Sequence, residues 1–489
     1  MAATVDRKPV YFYPDSSRVI ARPFVPGDGD RIASIVNRVL RLEEESARLL
    51  LNQVLREFSK RHRNITKVFE DNFDNIRHTA EEAGVKFNHL SRERKLLIGS
   101  YFTKEYSIES AAFFNPSIVE DPYQGGLQEG EKRVIVSFRA TGEGHLSSIA
   151  FRSGVVDRNN KLAFEPAGAL VDEPEVVKRH VYEKSAFIEK LREVGVYDDV
   201  IEEVMARLGD TFIYGELQAS IEEEKHKSKM SLTRRDKIET INWVASSHYE
   251  ITFSLDTAIS ERVIFPISYA ESNGIEDARF VRFTEDNGNV AYYATYTAYN
   301  GYTTLPKLLE TKDFYHFKVI PMYGAQAKSK GMALFPRKIN GKYAMLSRFD
   351  GVNNYIMFSD SVRVWTEAVR FEEPEHPWEY VQVGNCGSPI ETPEGWLVIT
   401  HGVGPMRRYA LGATLLDLDD PTKVIGHLKD PLLTANDKER EGYVPNVVYS
   451  CGSILHNGAV IIPYGISDSA TTFASVSLEE LIAEMKNGK

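Results

Sequence analysis

The sequence predicts a mainly β protein, a five-bladed β-propeller with an N-terminal helical extension and a helical insertion. Short alternating segments dominate the second half of the chain, and aromatic residues are abundant, with 24 Tyr and 25 Phe. A turn followed by an apolar strand recurs there about every 50–60 residues, which is typical of a repeated sheet. Five such units occur, at 131–138, 287–296, 340–347, 394–400 and 457–464. A β-sandwich is the structural alternative.

Composition and charge exclude several classes of function. The chain has 489 residues, which is longer than one ordinary globular domain. Its residues are 42% hydrophobic and 26% charged, as in a soluble globular protein. Its formal net charge of −11 argues against nucleic acid as the main partner, because that partner needs a basic face. Abundant aromatic rings suit flat polar ligands such as sugars.

Cysteine usage and the N-terminal sequence indicate a reducing compartment. There are two cysteines, Cys386 and Cys451, in the similar contexts Asn-Cys-Gly-Ser and Ser-Cys-Gly-Ser. A disulfide between them remains open, but a reducing environment fits two cysteines better. The first residues lack the basic region followed by an apolar one that marks a secretory signal. The sequence also lacks a run of about 18 apolar residues, which a membrane-spanning helix needs. We expect a cytoplasmic protein without a membrane partner.

Helical periodicity characterises the N-terminal extension, residues 1–106. Residues 1–27 are predicted to be mostly extended. Apolar residues then recur at helical spacing over about 28–60, and two more helices are predicted at about 65–80 and 91–104. Long amphipathic helices this early are more typical of packing or of an oligomer interface than of chemistry.

The predicted propeller domain covers residues 107–475 and contains one interruption. Between about 173 and 247 the pattern is helical, which favours an insertion in the β domain that packs on the N-terminal helices. Its charge-dense block is predicted to be a solvated helix face or an exposed hairpin. The last segment, 476–489, is predicted to be a helix. Ser477 is its N-cap, with Glu480 at the capping-box spacing.

One stretch, Glu271–Phe283, combines a turn with a charged cluster. The turn signal Asn273-Gly274 directly precedes Glu276 and Asp277, and Arg279 follows two residues later. A carboxylic acid held beside an arginine on a fixed backbone is suited to general acid catalysis. A surface turn with an Asp–Arg ion pair is the simpler alternative.

From about residue 115 to the C-terminus, the chain resembles glycoside hydrolase family 130, the mannoside phosphorylases and mannosidases. The motif Gly274-Ile275-Glu276-Asp277-Ala278-Arg279 is similar to the family's Gly-Val/Ile-Glu-Asp-Pro-Arg. Seven further landmarks follow the family's order: Asn115-Pro116, Ser137–Ala140, Tyr296–Tyr299, Leu334–Tyr343, Gly395–Val403, Leu415–Pro421 and Tyr464–Ser469. The first hundred residues and the insertion lie outside the resemblance.

The resemblance implies a five-bladed propeller that cleaves β-mannosides with inversion, usually with inorganic phosphate as the nucleophile. The family's general acid falls on Asp277, and it is thought to act through a sugar hydroxyl. Ala278 replaces the usual proline, and Ser347-Arg348 stands where many members have His-Arg. Tyr299-Asn300 occupies the place of a phosphate-binding arginine of some members.

Phosphate binding is expected at three residues that match the family's phosphate positions, Lys330, Arg348 and His401. An anionic nucleophile needs cations in an otherwise acidic protein, and each of these residues lies at a strand end or in a loop. The simpler interpretations are a solvated lysine, an Arg348–Asp350 ion pair and a hydrogen-bonded histidine.

Contacts to the non-reducing mannosyl unit are expected, by motif match, from Asn115, Arg139, Arg279 and Asp468, with Tyr299 as an aromatic wall. Glu276 is also expected at the substrate site, where it acts on a neighbouring side chain. Either it orients Arg279, or it raises the pKa of Asp277 by like-charge proximity. Alternation along a strand would instead place the two carboxylates on opposite faces.

Three functions are therefore considered. The first is inverting phosphorolysis of β-mannosides such as β-1,2-mannobiose or manno-oligosaccharides, releasing α-mannose 1-phosphate. The second is an inverting β-mannosidase that uses water. The third is a non-catalytic propeller that binds glycan or protein. The Lys330, Arg348 and His401 set favours the first over the second, and the Asp277–Arg279 pair disfavours the third.

The expected partners are a small-molecule mannoside and phosphate. No cofactor is expected beyond inorganic phosphate as co-substrate. No metal site is expected either, because no histidines show ligand spacing along the sequence. The helical extension and the insertion either cover the pocket rim or build a homo-oligomer, and the oligomer is favoured.

Overall fold

The structure is a computed structural model that describes residues 3–177, 181–193, 197–226, 237–238, 241, 244–245, 248–301 and 304–487. Its N-terminal part contains two strands followed by four helices and a third strand. These elements are β1 (Val5–Phe12), β2 (Asp15–Pro23), α1 (Gly29–Leu40), α2 (Glu44–Phe58), α3 (Ile65–Glu82), α4 (Arg92–Tyr101) and β3 (Thr103–Glu109), with β2 paired to β3.

The predicted helical run over 28–60 is two helices, because the chain turns at 41–43. The guanidinium of Arg94 in α4 donates to the carbonyl oxygens of Val39, Leu40 and Leu42 and pairs with Glu44. These bonds satisfy carbonyl groups that the end of α1 leaves free. The helices predicted at 65–80 and 91–104 are confirmed, and Ser91 caps α4 by accepting from the backbone N–H of Arg94.

Five antiparallel sheets of four or more strands follow one another along the described chain. The first contains β4 (Ala112–Glu120), β5 (Lys132–Thr141), β6 (Ser147–Val156), β7 (Leu162–Phe164) and β12 (Val263–Ile264). The second contains β8 (Glu175–Val177), β11 (Tyr249–Thr252), β13 (Ile275–Thr284), β14 (Val290–Tyr299), β15 (Thr304–Thr311) and β16 (His316–Pro321).

The third sheet contains β17 (Ala333–Leu334), β18 (Tyr343–Ser347), β19 (Asn354–Ser359) and β20 (Val369–Glu372). The fourth contains β21 (Gln382–Asn385), β22 (Ile390–Thr392), β23 (Gly395–Val403), β24 (Tyr409–Leu416), β25 (Val424–His427) and β26 (Leu433–Thr434). The fifth contains β27 (Val448–Tyr449), β28 (Ile454–His456), β29 (Ala459–Ile466), β30 (Ala470–Ser477) and also β1. The protein is therefore mainly β, and each of the five predicted turn–strand units lies in a different sheet.

Strand β1 links the N-terminus to the last sheet. It pairs antiparallel with β30, from Val5 opposite Val476 to Phe12 opposite Thr471. The Phe12 ring contacts four other phenylalanine rings, of which Phe138 and Phe164 are within about 5 Å, centroid to centroid. The extension predicted over 1–106 therefore includes a strand that belongs with the β sheets.

The insertion forms its own apolar cluster. Its described elements are the hairpin β9 (Val181–Glu183) with β10 (Thr211–Ile213), and the helices α5 (Lys184–Glu193), α6 (Asp199–Ala206) and α7 (Tyr214–His226). The charge-dense stretch predicted to be solvated lies largely outside the described residues. At its start, however, Glu224 is buried and pairs with Arg207.

The chain ends in α8 (Leu478–Asn487), the predicted C-terminal helix. The hydroxyl of Ser477 accepts a hydrogen bond from the backbone N–H of Glu480 at 3.4 Å, in agreement with the predicted cap. Among the described residues, no helix is both long and apolar enough to cross a membrane.

Candidate active site

A β-bulge places Asp277. Strand β13 pairs regularly with β14 except between Glu276 and Arg279, where the register shifts, and Asp277 has a left-handed φ of 56°. The carboxylates of Glu276 and Asp277 therefore both approach the guanidinium of Arg139, at 2.9 and 3.6 Å. The alternation of a regular strand predicts opposite faces for these carboxylates, and that prediction is wrong because the bulge inserts an extra residue.

The turn before this bulge is fixed from two sides. Gly274 has a φ of 124°, and a Cβ added there would lie 2.6 Å from Oγ of Ser147, whose hydroxyl donates to the carbonyl of Ile275. The backbone N–H of Gly274 donates to the carbonyl of Glu271 at 2.7 Å. Glu271 is fully buried in an ion pair with Lys307 at 2.7 Å. The turn is therefore held by a hydrogen bond to Glu271, whose side chain is fixed in a buried ion pair.

A second bulge brings Asn115 to the same acid. The register of β4 with β5 shifts between Phe114 and Ser117, and Asn115 has a φ of 47°. Its Nδ2 donates to Oδ1 of Asp277 at 2.7 Å. Its Oδ1 is buried and accepts no hydrogen bond within the part of the chain that the structure describes. An acceptor in this position suits a ligand hydroxyl.

Glu276 binds two cations and leaves Arg279 to other partners. It pairs with Arg139 and with Nζ of Lys330, whose side chain is 43% exposed. The prediction that Glu276 orients Arg279 is wrong. Lys330 lies in the loop before β17, and its ammonium neutralises a carboxylate adjacent to Asp277.

Arg279 is buried behind the acid. Its Nη1 donates to Oδ1 of Asn385 at 2.5 Å, and its Nη2 donates to the hydroxyl of Tyr449 at 2.6 Å. Burial would lower the pKa of Arg279, but Tyr449 and Asp277 stabilise the charged guanidinium and raise that pKa overall. Arg279 positions two neighbouring side chains and contributes positive charge near Asp277.

The two cysteine segments lie in this same region, and sequence reasoning used them only as evidence about redox state. Both cysteines are buried and free. A Cβ on Gly387 would lie 2.4 Å from the carbonyl oxygen of Cys451, so the two segments pack closely. Of the two partners of Arg279, Asn385 begins the first segment and Tyr449 directly precedes the second, and neither was predicted as a site residue. Their repeated Cys-Gly-Ser context was the signal that marked them.

Arg348 and His401 form a pair beside the loop that carries Lys330. Nη1 of Arg348 lies 3.2 Å from Nε2 of His401, and a Cβ on Gly331 would lie 3.6 Å from Cβ of Arg348. Because an arginine nitrogen only donates, Nε2 of His401 accepts, and its Nδ1 carries the proton towards Sγ of Cys386 at 3.6 Å. The predicted Arg348–Asp350 ion pair does not appear among the described ion pairs.

His401 is uncharged, and Arg348 has a free donor. Burial and the positive charges of Arg348 and Arg279 hold the pKa of His401 well below its usual value. Nε of Arg348 is buried and donates to no other group of the described residues. Nε of Arg139 is in the same situation. Two buried guanidinium donors without protein acceptors are suited to binding an anion or a polar ligand.

Two carboxylic acids of the site differ in pKa. Burial would raise the pKa of Asp277, but Arg139, Lys330 and the hydrogen bond from Asn115 overcome it and hold that pKa below its usual range. Burial and the charge of Asp277 raise the pKa of Asp468 to about 6. The hypothesis that Glu276 raises the pKa of Asp277 is therefore wrong, because Arg139 and Lys330 neutralise Glu276.

Tyr299 lies at the edge of the site. Its backbone pairs with Asn273 and Gly274, so that it flanks the turn before Asp277. Its hydroxyl donates to the carbonyl of Gly301 at 2.9 Å. None of the described ring contacts joins Tyr299 to the acidic cluster.

The site draws on all five sheets, usually at strand ends or bulges. The contributions, from the first sheet to the fifth, are Asn115 and Arg139; Glu276, Asp277 and Arg279; Lys330 and Arg348; Asn385 and His401; and Tyr449 and Asp468. The arrangement combines an acid, a second carboxyl group of different pKa and a set of cations. Chemically, it can bind an anion beside a proton donor.

The chain is similar to proteins that are named as mannoside phosphorylases. A family model described as beta-1,4-mannooligosaccharide phosphorylase matches residues 244–487. A beta-1,2-mannobiose phosphorylase of Thermoanaerobacter sp. (strain X514) is 32% identical over 272 residues, 52% of this chain and 84% of the relative. One of Listeria innocua serovar 6a is 30% identical over 268 residues, 51% of this chain and 72% of the relative.

Two further comparisons are partial or distant. A 1,2-beta-oligomannan phosphorylase of the same Thermoanaerobacter strain is 40% identical over 156 residues, 31% of this chain, and the chain spans 52% of that relative. A solved structure of the Listeria innocua enzyme in complex with beta-1,2-mannobiose has a TM-score of 0.45 at 22% identity, covering 78% of this chain and 93% of that one.

Proposed function

The chain belongs to glycoside hydrolase family 130, and on that premise we propose that it catalyses inverting phosphorolysis of β-mannosides. The preferred substrate class is β-1,2-mannobiose or manno-oligosaccharides, and the product is α-mannose 1-phosphate. Relatives that carry the name of beta-1,2-mannobiose phosphorylase support this choice of linkage. The five sheets, each contributing to one site, support the arrangement as a five-bladed propeller.

The observation that carries the proposal is the pair Arg348–His401 next to Lys330. Arg348 presents a buried Nε without a protein acceptor, and Lys330 reaches the site from an adjacent loop. In a protein of net charge −11, such a concentration of donors favours an anionic co-substrate. Phosphate held there needs no catalytic base, because it is already a nucleophilic anion.

Asp277 is the proposed general acid. A phosphate oxygen attacks the anomeric carbon, the β-glycosidic bond breaks, and the leaving sugar oxygen receives one proton from Asp277, relayed by a mannosyl hydroxyl. The hydrogen of the attacking hydrogen phosphate returns to Asp277, so that protons balance. Asn115, Arg139 and Asp468 bind the mannosyl unit in this scheme.

Phosphate also provides the means to protonate Asp277. Arg139 and Lys330 hold the pKa of Asp277 low. A phosphate anion that attracts Lys330 away from Glu276 places negative charge near Asp277 and raises its pKa. Acid function is thereby coupled to the presence of the nucleophile.

The alternative, an inverting β-mannosidase, would use Asp277 as the acid and Asp468 as the base that activates water. Asp468 has the pKa of about 6 that such a base needs. That mechanism gives no role to the free donor of Arg348, and the phosphorylase is therefore preferred.

The test is steady-state phosphorolysis of β-1,2-mannobiose at varied phosphate concentration. We expect Arg348→Met and Lys330→Met each to raise the KM for phosphate by about tenfold or more, since a charge-assisted hydrogen bond to an ion contributes roughly 1.5–3 kcal/mol. Lys328→Met is the matched control, because Lys328 is exposed two residues away. Equal phosphate KM values in all four proteins would refute the assignment of the anion site.

A further inference from the structure

A second polar cavity lies between the third and fourth sheets. Its volume is about 230 Å³, and its walls come from β20, from the segment 373–379 and from β25. Thr400 lines it, whereas the next residue of β23, His401, belongs to the active site. Successive residues of a strand face opposite sides, so the two sites lie on opposite faces of the fourth sheet.

The walls of this cavity are strongly acidic and contain two imidazoles. The lining residues that can ionise are Glu372, Glu373, Glu375, Glu379, His376, His427 and Arg370. The guanidinium of Arg370 pairs with Glu373 at 3.2 Å, which leaves the negative charge in excess. A cavity of this charge is suited to a cation.

Three of these side chains converge on one point. Nε2 of His376 lies 3.3 Å from Nε2 of His427, which lies 3.9 Å from Oε2 of Glu375. The ligand atoms of all three residues lie within 4.8 Å of one another. Two nitrogens bound tetrahedrally to Zn²⁺ at about 2.0–2.1 Å are separated by about 3.3–3.4 Å. The separation of the two imidazole nitrogens matches that geometry.

The surrounding residues hold the backbone of the segment that carries Glu375 and His376. Oε1 of the buried Glu379 accepts the backbone N–H groups of both residues, at 3.0 and 3.1 Å. The indole of Trp378 packs on Gly402, where a Cβ would lie 2.4 Å from its ring, and donates to the carbonyl of Lys429. These contacts position the segment against the fourth sheet, which carries His427.

We propose that Glu375, His376 and His427 bind a divalent transition-metal ion, with Zn²⁺ as the reference ion and water as the fourth ligand. The ion would join the segment between the third and fourth sheets to the outer strand β25, and its role would be structural. The two histidines are 51 residues apart, which explains why spacing along the sequence gave no metal signal.

The experiment is calorimetric titration of the full-length, chelator-treated protein with Zn²⁺ in a phosphate-free buffer. We expect one ion per chain. His376→Ala and His427→Ala should each weaken binding by more than about 100-fold, because loss of an outer-shell partner alone weakens it about 10–100-fold. His316→Ala is the matched control, since His316 faces Glu250 at 3.3 Å on the second sheet.

Two further measurements keep the result interpretable. Far-UV circular dichroism of His427→Gln checks that the loss of binding is not a loss of fold. Zn²⁺ should raise the Tm of the parent and of His316→Ala, and it should leave the Tm of His376→Ala and His427→Gln unchanged. The absence of stoichiometric binding by the parent, or equal binding by a His376→Ala/His427→Ala double variant, would overturn the proposal.

Discussion

Asp277 and Asp468 are chemically identical side chains with different proton affinities. Arg139 and Lys330 hold the pKa of Asp277 low, and the charge of Asp277 together with burial raises that of Asp468 to about 6. Environments that separate the pKa values of two carboxyl groups in this way are typical of acid–base sites. Near neutral pH Asp277 is ionised, and Asp468 changes its charge just below that pH.

Asp468→Asn should stabilise the fold while it impairs the enzyme. The folded-state pKa of Asp468 lies above its ordinary 3.8. The free energy of unfolding therefore falls as the pH rises from about 3.8 to about 6, and above that pH the loss is complete. We expect the free energy of unfolding of the variant at pH 8 to exceed that of the parent by about 1–3 kcal/mol, allowing for partial solvent exposure. Urea unfolding at pH 8 and at pH 4 measures it.

At pH 4 the difference between Asp468→Asn and the parent should largely vanish, because both side chains are then neutral. The same stabilisation at both pH values would contradict the assigned pKa.

Asp277→Asn should remove turnover and retain the fold. The amide cannot donate the carboxyl proton, and general acid catalysis contributes about 10²–10⁴-fold to a rate. We expect kcat to fall by at least that range, with an unchanged circular dichroism spectrum. Asp360→Asn, an exposed site, is the control. A variant at Asp277 with normal kcat would remove this residue from the mechanism.

At the scale of elements, the two bulges explain most of what sequence reasoning missed. The motif match identified Asn115 and Asp277, but strand alternation separated Asp277 from Glu276. An added residue in β13 changes which way a side chain points, and nothing in the local pattern marks where it is added. The Cys-Gly-Ser context marked the segments of Asn385 and Tyr449, but their hydrogen bonds to Arg279 depend on long-range packing, which no local pattern shows.

The buried Glu271–Lys307 pair anchors the turn before the bulge, and Lys307→Met should weaken it. Removal of one partner leaves a buried charge and costs about 3–5 kcal/mol in such cases. Lys307 and the hydrogen bond from Tyr296 hold the pKa of Glu271 at about 2 despite burial. The stability that this carboxylate contributes is therefore present above about pH 4.5 and is lost as the pH falls towards 2.

Urea unfolding of Lys307→Met between pH 3 and 7 measures this effect. The deficit should be largest at pH 7 and should shrink as Glu271 becomes protonated. Lys312→Met, at an exposed position in the turn between β15 and β16, should behave like the parent. A deficit that is independent of pH would show that the loss is one of packing and not of charge pairing.

At the scale of the whole molecule, the N-terminal strand holds the two ends of the chain together. Strand β1 pairs with β30, and Phe12 packs between rings of the first and fifth sheets. Phe12→Ala should destabilise the entire β domain, because it removes a ring that packs against four others. The expected loss in the free energy of unfolding is about 2–4 kcal/mol, somewhat below that of a fully buried phenylalanine, since Phe12 is partly exposed and leaves a smaller cavity. Tyr11→Ala, 48% exposed, is the control.

Thermal unfolding followed by circular dichroism measures the Phe12 effect. A single transition at lower Tm is expected, since β1 belongs to a sheet that the rest of the domain needs. If only a minor early transition appeared, with the main one unchanged, β1 would be an appendage and not a closing strand.

The helices and the five sheet units were predictable from periodicity, because both depend on local pattern. The family was also identifiable from ordered landmarks, and relatives that share 30–32% identity confirm it. Strand β1 was placed in the helical extension, because its partner lies more than 450 residues away along the chain. Long-range pairing of this kind leaves no trace in composition or period.

The proposed nucleophile on the mannoside is phosphate and not water. Proton NMR of β-1,2-mannobiose with the enzyme, with and without inorganic phosphate, distinguishes the two. We expect α-mannose 1-phosphate to appear as the first product, in equal amount to mannose, and cleavage to stop without phosphate. Release of free mannose alone, at a rate independent of phosphate, would rule out phosphorolysis.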